Sequence, residues 1–446
     1  MQTRHTHRRG LLLALLLLPA AAWAQDQAEV DPGKVEAPPE AQKPKEDLSP
    51  AGNAIAGEFT PSKGFDLLKS DWGSLNISMY GLFRYVNQLP AQQTFTDHLG
   101  RERVIKTRND LNWHRTMVWF SGFALNPRFI YVVTLWSLPS TQQTLLFGNM
   151  QYRFNRALTL GVGIGPNLTA RSMSGSHPFW LSSDRVMGEE FFRGGFSSGA
   201  WLKGELLPRF FYTVSVNTNL SQLGITASND TRDLAFSGTF WWMPTTGEFG
   251  QRGGMADFEE HPRLATRFGM SAGHAREDRA SQLGLAPNAT QIRISDGLLL
   301  FEEGALADGV TVQKGTYQDW AIDAAMKYRG FTLQAEYFFR WLNDFVATGP
   351  LPIDEIFDHG FTVQAMHMLL PKKLGLYGSA SYVFDDFQRH PWEVLGGLSY
   401  FPFDARSVRL NLHVIHVEKS PTGSSFGFYT GGQTGTTLSL GVDILL

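Results

Sequence analysis

Cysteine is absent from all 446 residues. That excludes disulfides, thiolate metal sites and cysteine nucleophiles together. Charge is sparse and nearly balanced, with 39 basic against 42 acidic side chains, which argues against a nucleic-acid partner. Beyond the first residues, no apolar run approaches the ~18 residues needed for a membrane-crossing helix. Nor is there a nucleophile elbow, a P-loop or a zinc-binding helix. No catalytic residue, metal or cofactor is therefore expected.

The chain does begin as exported proteins do. Arg4, Arg8 and Arg9 precede an apolar core from Leu11 to Leu18, and Ala22-Trp23-Ala24 is a small-x-small cleavage site. Residues 1–24 read as a secretory signal, too short to anchor. Arg8-Arg9 lacks the rest of a twin-arginine motif. Residues 25–70 are rich in Pro, Ala, Glu and Lys, as in Pro38-Pro39-Glu40-Ala41-Gln42-Lys43-Pro44-Lys45. So little apolar surface cannot offset the entropy of ordering, so this segment is expected to be a disordered periplasmic leader.

From residue 71 onward the pattern changes to alternation. Phe331, Leu333, Ala335, Tyr337, Phe339 and Trp341 interleave with Thr332, Gln334, Glu336 and Arg340. A period of two sends these sets to opposite faces of a strand. In a soluble sandwich the apolar face would be the inside; in a transmembrane barrel it would face lipid. The arrangement of the connections decides between them. Strands are expected at 75–85, 113–125, 129–138, 143–153, 157–165, 199–206, 210–219, 232–242, 263–275, 318–328, 331–343, 359–370, 373–384, 392–402, 406–418 and 436–446. Tight turns such as Asn126-Pro127-Arg128, Leu207-Pro208-Arg209 and Arg329-Gly330 join them in pairs, and the pairs are separated by long segments, the longest at 166–197 and 276–317. Long structureless connections are unusual in compact soluble domains, whereas short turns at one end and long loops at the other suit a barrel of even strand number. The expected fold is all-β: a 16-stranded antiparallel transmembrane β-barrel over 71–446, with short periplasmic turns and long outer loops, in the bacterial outer membrane.

Trp320, Tyr328, Trp341, Tyr382, Trp392 and Tyr400 lie near strand ends, as interfacial girdles require. The last strand alternates Leu438, Leu440, Val442 and Ile444 with Thr437, Ser439, Gly441 and Asp443. It is similar to the C-terminal signal that barrels present to the outer-membrane assembly machinery, although it ends in Leu445-Leu446 rather than an aromatic residue. Both faces are apolar over 113–138, so parity does not assign their direction.

A more specific likeness lies in Phe240-Trp241-Trp242-Met243-Pro244-Thr245-Thr246-Gly247-Glu248-Phe249-Gly250, followed by Ala256-Asp257-Phe258-Glu259-Glu260-His261 and Arg267-Phe268-Gly269. This segment resembles the long mid-barrel turn of the phosphate-selective porin O and P family. The resemblance implies a trimeric, 16-stranded porin that draws in phosphate with arginines and lysines. The loops here hold no dense basic cluster to match.

Selectivity in such a pore comes from lumen charges and from any loop folded inward. By parity the lumen-facing cations are Arg84, Arg153, Lys203, Arg267, Lys327, Arg340 and Arg409, and the anions are Glu205, Asp323, Glu336, Glu393 and Asp443. The slight excess of cations favours anions weakly, although many of these charges can pair across strands. The candidate constriction is the 166–197 loop, with Arg171, Arg185 and Arg193 beside Asp184, Glu189 and Glu190, and with Phe179-Trp180 and Phe191-Phe192 to pin it to the wall. The expected function is passive diffusion of small hydrophilic solutes or anions through a homotrimer embedded in outer-membrane lipid. A plugged, structural or adhesive barrel is the alternative. A barrel phospholipase is a third reading, but His413 and Asn411 face inward by parity and no serine is tied to them. Substitution by arginine is expected to be costly at lipid-facing Ala335 and tolerated at lumen-facing Gln334.

Overall fold

The computed structural model describes residues 64–446, apart from 139–142, 175–177, 221–232, 250–253, 280–291 and 424–426. The expected signal segment and residues 25–63 of the leader lie outside the described residues.

In chain order the strands are β1 (Phe65–Lys69), β2 (Ser74–Leu89), β3 (Gln92–Thr96), β4 (Glu102–Lys106), β5 (Asn109–Ala124), β6 (Asn126–Leu138), β7 (Gln143–Asn155), β8 (Leu158–Pro166), β9 (Phe196–Leu207) and β10 (Phe210–Asn217). They continue with β11 (Ala235–Trp242), β12 (Ala265–Asp278), β13 (Val312–Tyr328), β14 (Phe331–Ala347), β15 (Glu355–Leu370), β16 (Leu374–Phe384), β17 (Trp392–Tyr400), β18 (Val408–Glu418) and β19 (Gly435–Leu445). One short helix, α1 (Met187–Phe192), interrupts the connection from β8 to β9. Each of β2 and β5 to β19 pairs antiparallel with its chain neighbour, and β19 pairs with β2. The result is a closed barrel of 16 strands, with no edge left to satisfy.

The alternation of β14 appears directly as facing. Thr332, Gln334, Glu336 and Arg340 are buried, while Leu333 and Ala335 are exposed. Register carries this around the wall, since Glu336 lies opposite Asp323 on β13 and Thr362 on β15. The exposed side chains on the outer face include Leu160, Val216, Ile322, Val394 and Leu440. An apolar outside around a polar inside is the inverse of a soluble sandwich, and it marks the outer face as the lipid face.

The hairpin turns lie at the end that also holds the barrel's first and last residues. At the β13–β14 turn, Arg329 and Gly330 have φ of 47° and 81°, the left-handed pair that a two-residue hairpin needs to match strand twist. Three strands fall where the pattern predicted none. β1 occupies the end of the expected leader and pairs with β2 from Ile77 downward, just below Tyr80, where β19 stops. The β3–β4 hairpin stands in the segment read as a polar loop and reaches other long loops. His98 bonds Asp296 at 2.7 Å, and Arg101 bonds Asp308 at 2.9 Å. At its turn, burial pushes the Asp97 carboxyl up, but the backbone N–H of Arg101 and the Arg103 and Arg101 side chains outweigh it and hold it below its ordinary range.

An arginine at Ala335, the fifth residue of β14, puts a charge on the lipid face. It is expected to lower stability by about 2–4 kcal/mol, measured as a shift in the urea midpoint of the barrel folded in vesicles. An unchanged midpoint would place Ala335 in water.

Candidate functional site

The 166–197 loop does not stay at the surface; it crosses the inside of the barrel. On the wall beside it, the inward-facing Gly161 and Gly165 of β8 lie against Trp201 of β9, and a Cβ at either would meet that ring. The loop carries its own apolar anchors. Phe179, Trp180, Phe191 and Phe192 are each at most 4% exposed. Phe192 stacks on Phe338 of β14 with ring centres 5.0 Å apart. Met173 and Trp180 join one apolar cluster with Tyr80, Leu82, Met117, Trp119, Val132 and Trp136. That cluster assigns the facing of residues 113–138. Met117, Trp119, Val132 and Trp136 point inward because this arc of wall meets the loop and not water.

Charge holds the rest of the loop. Asp184 accepts from Arg115 at 2.8 Å and from Arg84 at 3.4 Å. The backbone N–H of Arg171 donates to Glu336 at 2.8 Å, and its guanidinium donates to Gln334. At the start of α1, where helical N–H groups lack internal partners, Met187 donates to the Glu393 carboxylate of β17 at 2.8 Å and Gly188 to Ser381 at 3.3 Å. Arg193 bonds Glu190 at 2.8 and 3.0 Å, Arg185 lies 4.5 Å above the Trp180 ring, and Glu189 accepts from Gln364 at 3.4 Å. All six charged loop residues are buried.

The expected wall residues all face inward, but most of them are not wetted. Arg84, Arg267, Lys327, Glu336, Arg340 and Arg409 are buried, as are Asp323, Glu393 and Asp443. Arg340 bonds Asp358 at 2.6 Å and lies 3.9 Å from the Phe191 ring centre. Arg409 bonds Asp443 at 2.9 Å and donates to the Trp180 carbonyl at 2.7 Å. Arg267 pairs with Asp323. Lys327 donates to the carbonyls of Phe249, at 2.6 Å, and Gly254, both in the long turn after β11. That turn folds into the barrel end and donates from Met255 N–H to Phe179 of the loop at 2.9 Å. Arg153, Lys203 and Glu205 retain partial exposure. The buried charges face the inner loop, the long turn and residues 420–423 and 427–433, which fill the space in front of them. Gln334 is reassigned, because an arginine there would meet Arg171 and replace its acceptor.

Several contributors escaped the sequence reading. A bulge between Leu82 and Phe83 on one strand and Arg115 and Trp113 on the other sends both His114 and Arg115 inward. Phe428 lies under the Arg84 guanidinium at 4.9 Å, and Tyr429 donates to Glu393. Asp358, the partner of Arg340, is on a strand whose parity alone would have found it. His413 bonds Tyr377 at 3.0 Å and Asn411 at 2.7 Å inside the barrel, while His416 is exposed on the opposite face. Among the described residues, no group of three or more His, Cys, Asp or Glu is placed to hold a metal ion.

Removing one partner of a buried ion pair leaves charge stranded, which costs about 3–5 kcal/mol. Asp184→Ala is accordingly expected to free the loop. Trypsin should then cut at Arg171, Arg185 or Arg193 in the folded barrel, whereas the wild-type loop resists. Equal resistance would show that the aromatic anchors suffice.

No protein-family profile matches the chain, and no curated protein matches it. Among solved structures, the trimer form of in-vitro folded OmpT, an outer-membrane protein of Vibrio cholerae, is 11% identical with a TM-score of 0.50, covering 84% of this chain and 100% of that one. An anion-selective porin from Comamonas acidovorans is 10% identical with a TM-score of 0.47, covering 84% and 100%. The outer-membrane channel DcaP of Acinetobacter baumannii is 10% identical with a TM-score of 0.47, covering 86% and 99%. At such identities the likeness shows the fold alone: the chain shares the barrel architecture of outer-membrane proteins.

Proposed function

We propose that this chain is an outer-membrane porin through which small hydrophilic solutes diffuse down their gradients, past a constriction formed by the 166–197 loop. The observation that supports this reading most is a charged loop docked on a charged inner wall of a closed transmembrane barrel. The arrangement narrows the lumen and sets fixed charges along it, which is how pores discriminate. A weak anion preference, phosphate included, belongs to the same reading. Arg153 and Lys203 lie in one row either side of Thr159 and keep partial exposure, while Glu205 bonds Arg156. Export by the signal at 1–24, insertion by the barrel assembly machinery and a homotrimeric state complete the proposal. It assigns no catalytic role and no cofactor.

A second reading, a plugged structural barrel, is favoured by the burial of so many inward-facing side chains. Planar-bilayer recording of the purified protein separates the two. The porin reading expects small stepwise conductance in wild type and larger steps for Asp184→Ala. Silence from both proteins would favour the structural barrel. In a salt gradient the reversal potential should indicate a slight anion preference, and Lys203→Glu should move it toward cations. Cation preference in the wild type would contradict the assignment of Arg153 and Lys203.

A further inference from the structure

The lipid-facing wall is not smooth. Across β8 to β13 it carries a concavity of about 800 Å³. Its origin can be traced in the register. Val214, Gly238, Ala272 and Trp320 form one row across β10 to β13, and the two small residues at its centre leave a pit. Phe240 and Met270 bound the pit toward the hairpin-turn end, and Phe236 and His274 bound it toward the long-loop end. Phe236, Met270 and Trp320 are 51%, 42% and 48% exposed, so the pit opens to the bilayer.

Polarity is confined to one end of it. His274 is exposed and faces Gln318 across the β12–β13 pair. Arg276, one step further along the same face, is half-buried; it donates to the Thr316 hydroxyl at 2.8 Å and to the Asp344 carbonyl at 3.4 Å, neither of them a carboxylate. Lys314 beside it is already paired with Asp278 at 3.0 Å. Hydrogen-bond donors above an apolar pit on a membrane-facing wall match the layout of a lipid, with head outward and chain inward. A void there would forfeit dispersion contacts along its whole lining, and basic side chains at membrane level bind phosphate head groups.

We propose that this pit binds a phosphate-bearing lipid of the long-loop leaflet, with one acyl chain against Gly238 and Ala272 and the phosphate held by His274, Gln318 and Arg276. The site depends on the wall facing lipid and is independent of conduction.

Native mass spectrometry of the full-length protein in detergent tests it, with dipalmitoylphosphatidylglycerol and dipalmitoylglycerol as probes that share chains and differ in the phosphate. Wild type should retain one phosphatidylglycerol and little diacylglycerol. Arg276→Gln removes a charge-assisted bond and should weaken phosphatidylglycerol retention about tenfold. Ala272→Leu fills the pit and should abolish it, with folding checked by heat-modifiable migration on gels. Ala200→Leu, on the other side of the pit, gives the same reading if the first variant fails to fold. Equal retention of the two probes, or retention untouched by the filled pit, overturns the proposal. So does a dimer that Ala272→Leu dissolves, because the pit would then seat a second copy.

Discussion

A backbone N–H or C=O left unpaired in hydrocarbon costs several kcal/mol, and no water is there to satisfy it. Every other feature of this molecule follows from that constraint. It requires the ladder to close on itself, which β19 does by pairing with β2 from Leu89 to Tyr80. Where β19 stops, β1 covers the remaining stretch of β2. With the backbone satisfied by the ladder alone, the side chains need only sort by face. Apolar ones go to lipid, and whatever remains goes to an interior that must then be wetted or filled.

Here the interior is mostly filled, and it is filled in two different ways. Along β2, β5 and β6 the inward Tyr80, Leu82, Met117, Trp119, Val132 and Trp136 form an apolar patch that the loop meets with Met173 and Trp180, while its Asp184 meets Arg84 and Arg115 beside them. Along β13 to β19 the wall charges meet backbone groups of the loop: the Arg171 N–H donates to Glu336 and the Met187 N–H to Glu393, and the Trp180 carbonyl accepts from Arg409. The loop is thus amphipathic in three dimensions without being an amphipathic helix. Ion pairs as deeply buried as Arg340–Asp358 add little net stability, because desolvation offsets their attraction. Their effect is specificity. A slipped loop would strand several charges at once, so only one docking position is low in free energy.

This division explains what could be read in advance. Strand positions and facings were legible wherever one face was apolar and the other polar, as in β14, β17 and β19, because a period of two leaves no alternative register. Residues 113–138 were illegible for a physical reason: their inner face packs against protein, so lipid and loop both demand apolar residues. Arg115 was illegible because a bulge shifts the parity by one, and nothing in Trp113-His114-Arg115 signals it. The wall charges were found by parity, but their burial was not. It depends on segments far away in sequence, such as Phe428 beneath Arg84 and the turn carbonyls that cap Lys327. Alternation reports which way a side chain points and says nothing about what it will meet.

A chain without cysteine must hold such a filling by non-covalent means. The contacts are distributed so that no filling segment is secured by the wall alone. The long turn after β11 touches the inner loop through Met255 and Phe179, the 420–433 loop touches the wall acid that caps α1 through Tyr429 and Glu393, and Arg84 bridges Asp184 of the inner loop to the Gly427 carbonyl. Segments that share partners do not release independently, since freeing one strands the charges of the next. Moving the inner loop therefore means moving its neighbours with it; a single wall acid, Glu393, joins two of these segments, accepting from the Met187 N–H of the inner loop and from the Tyr429 hydroxyl.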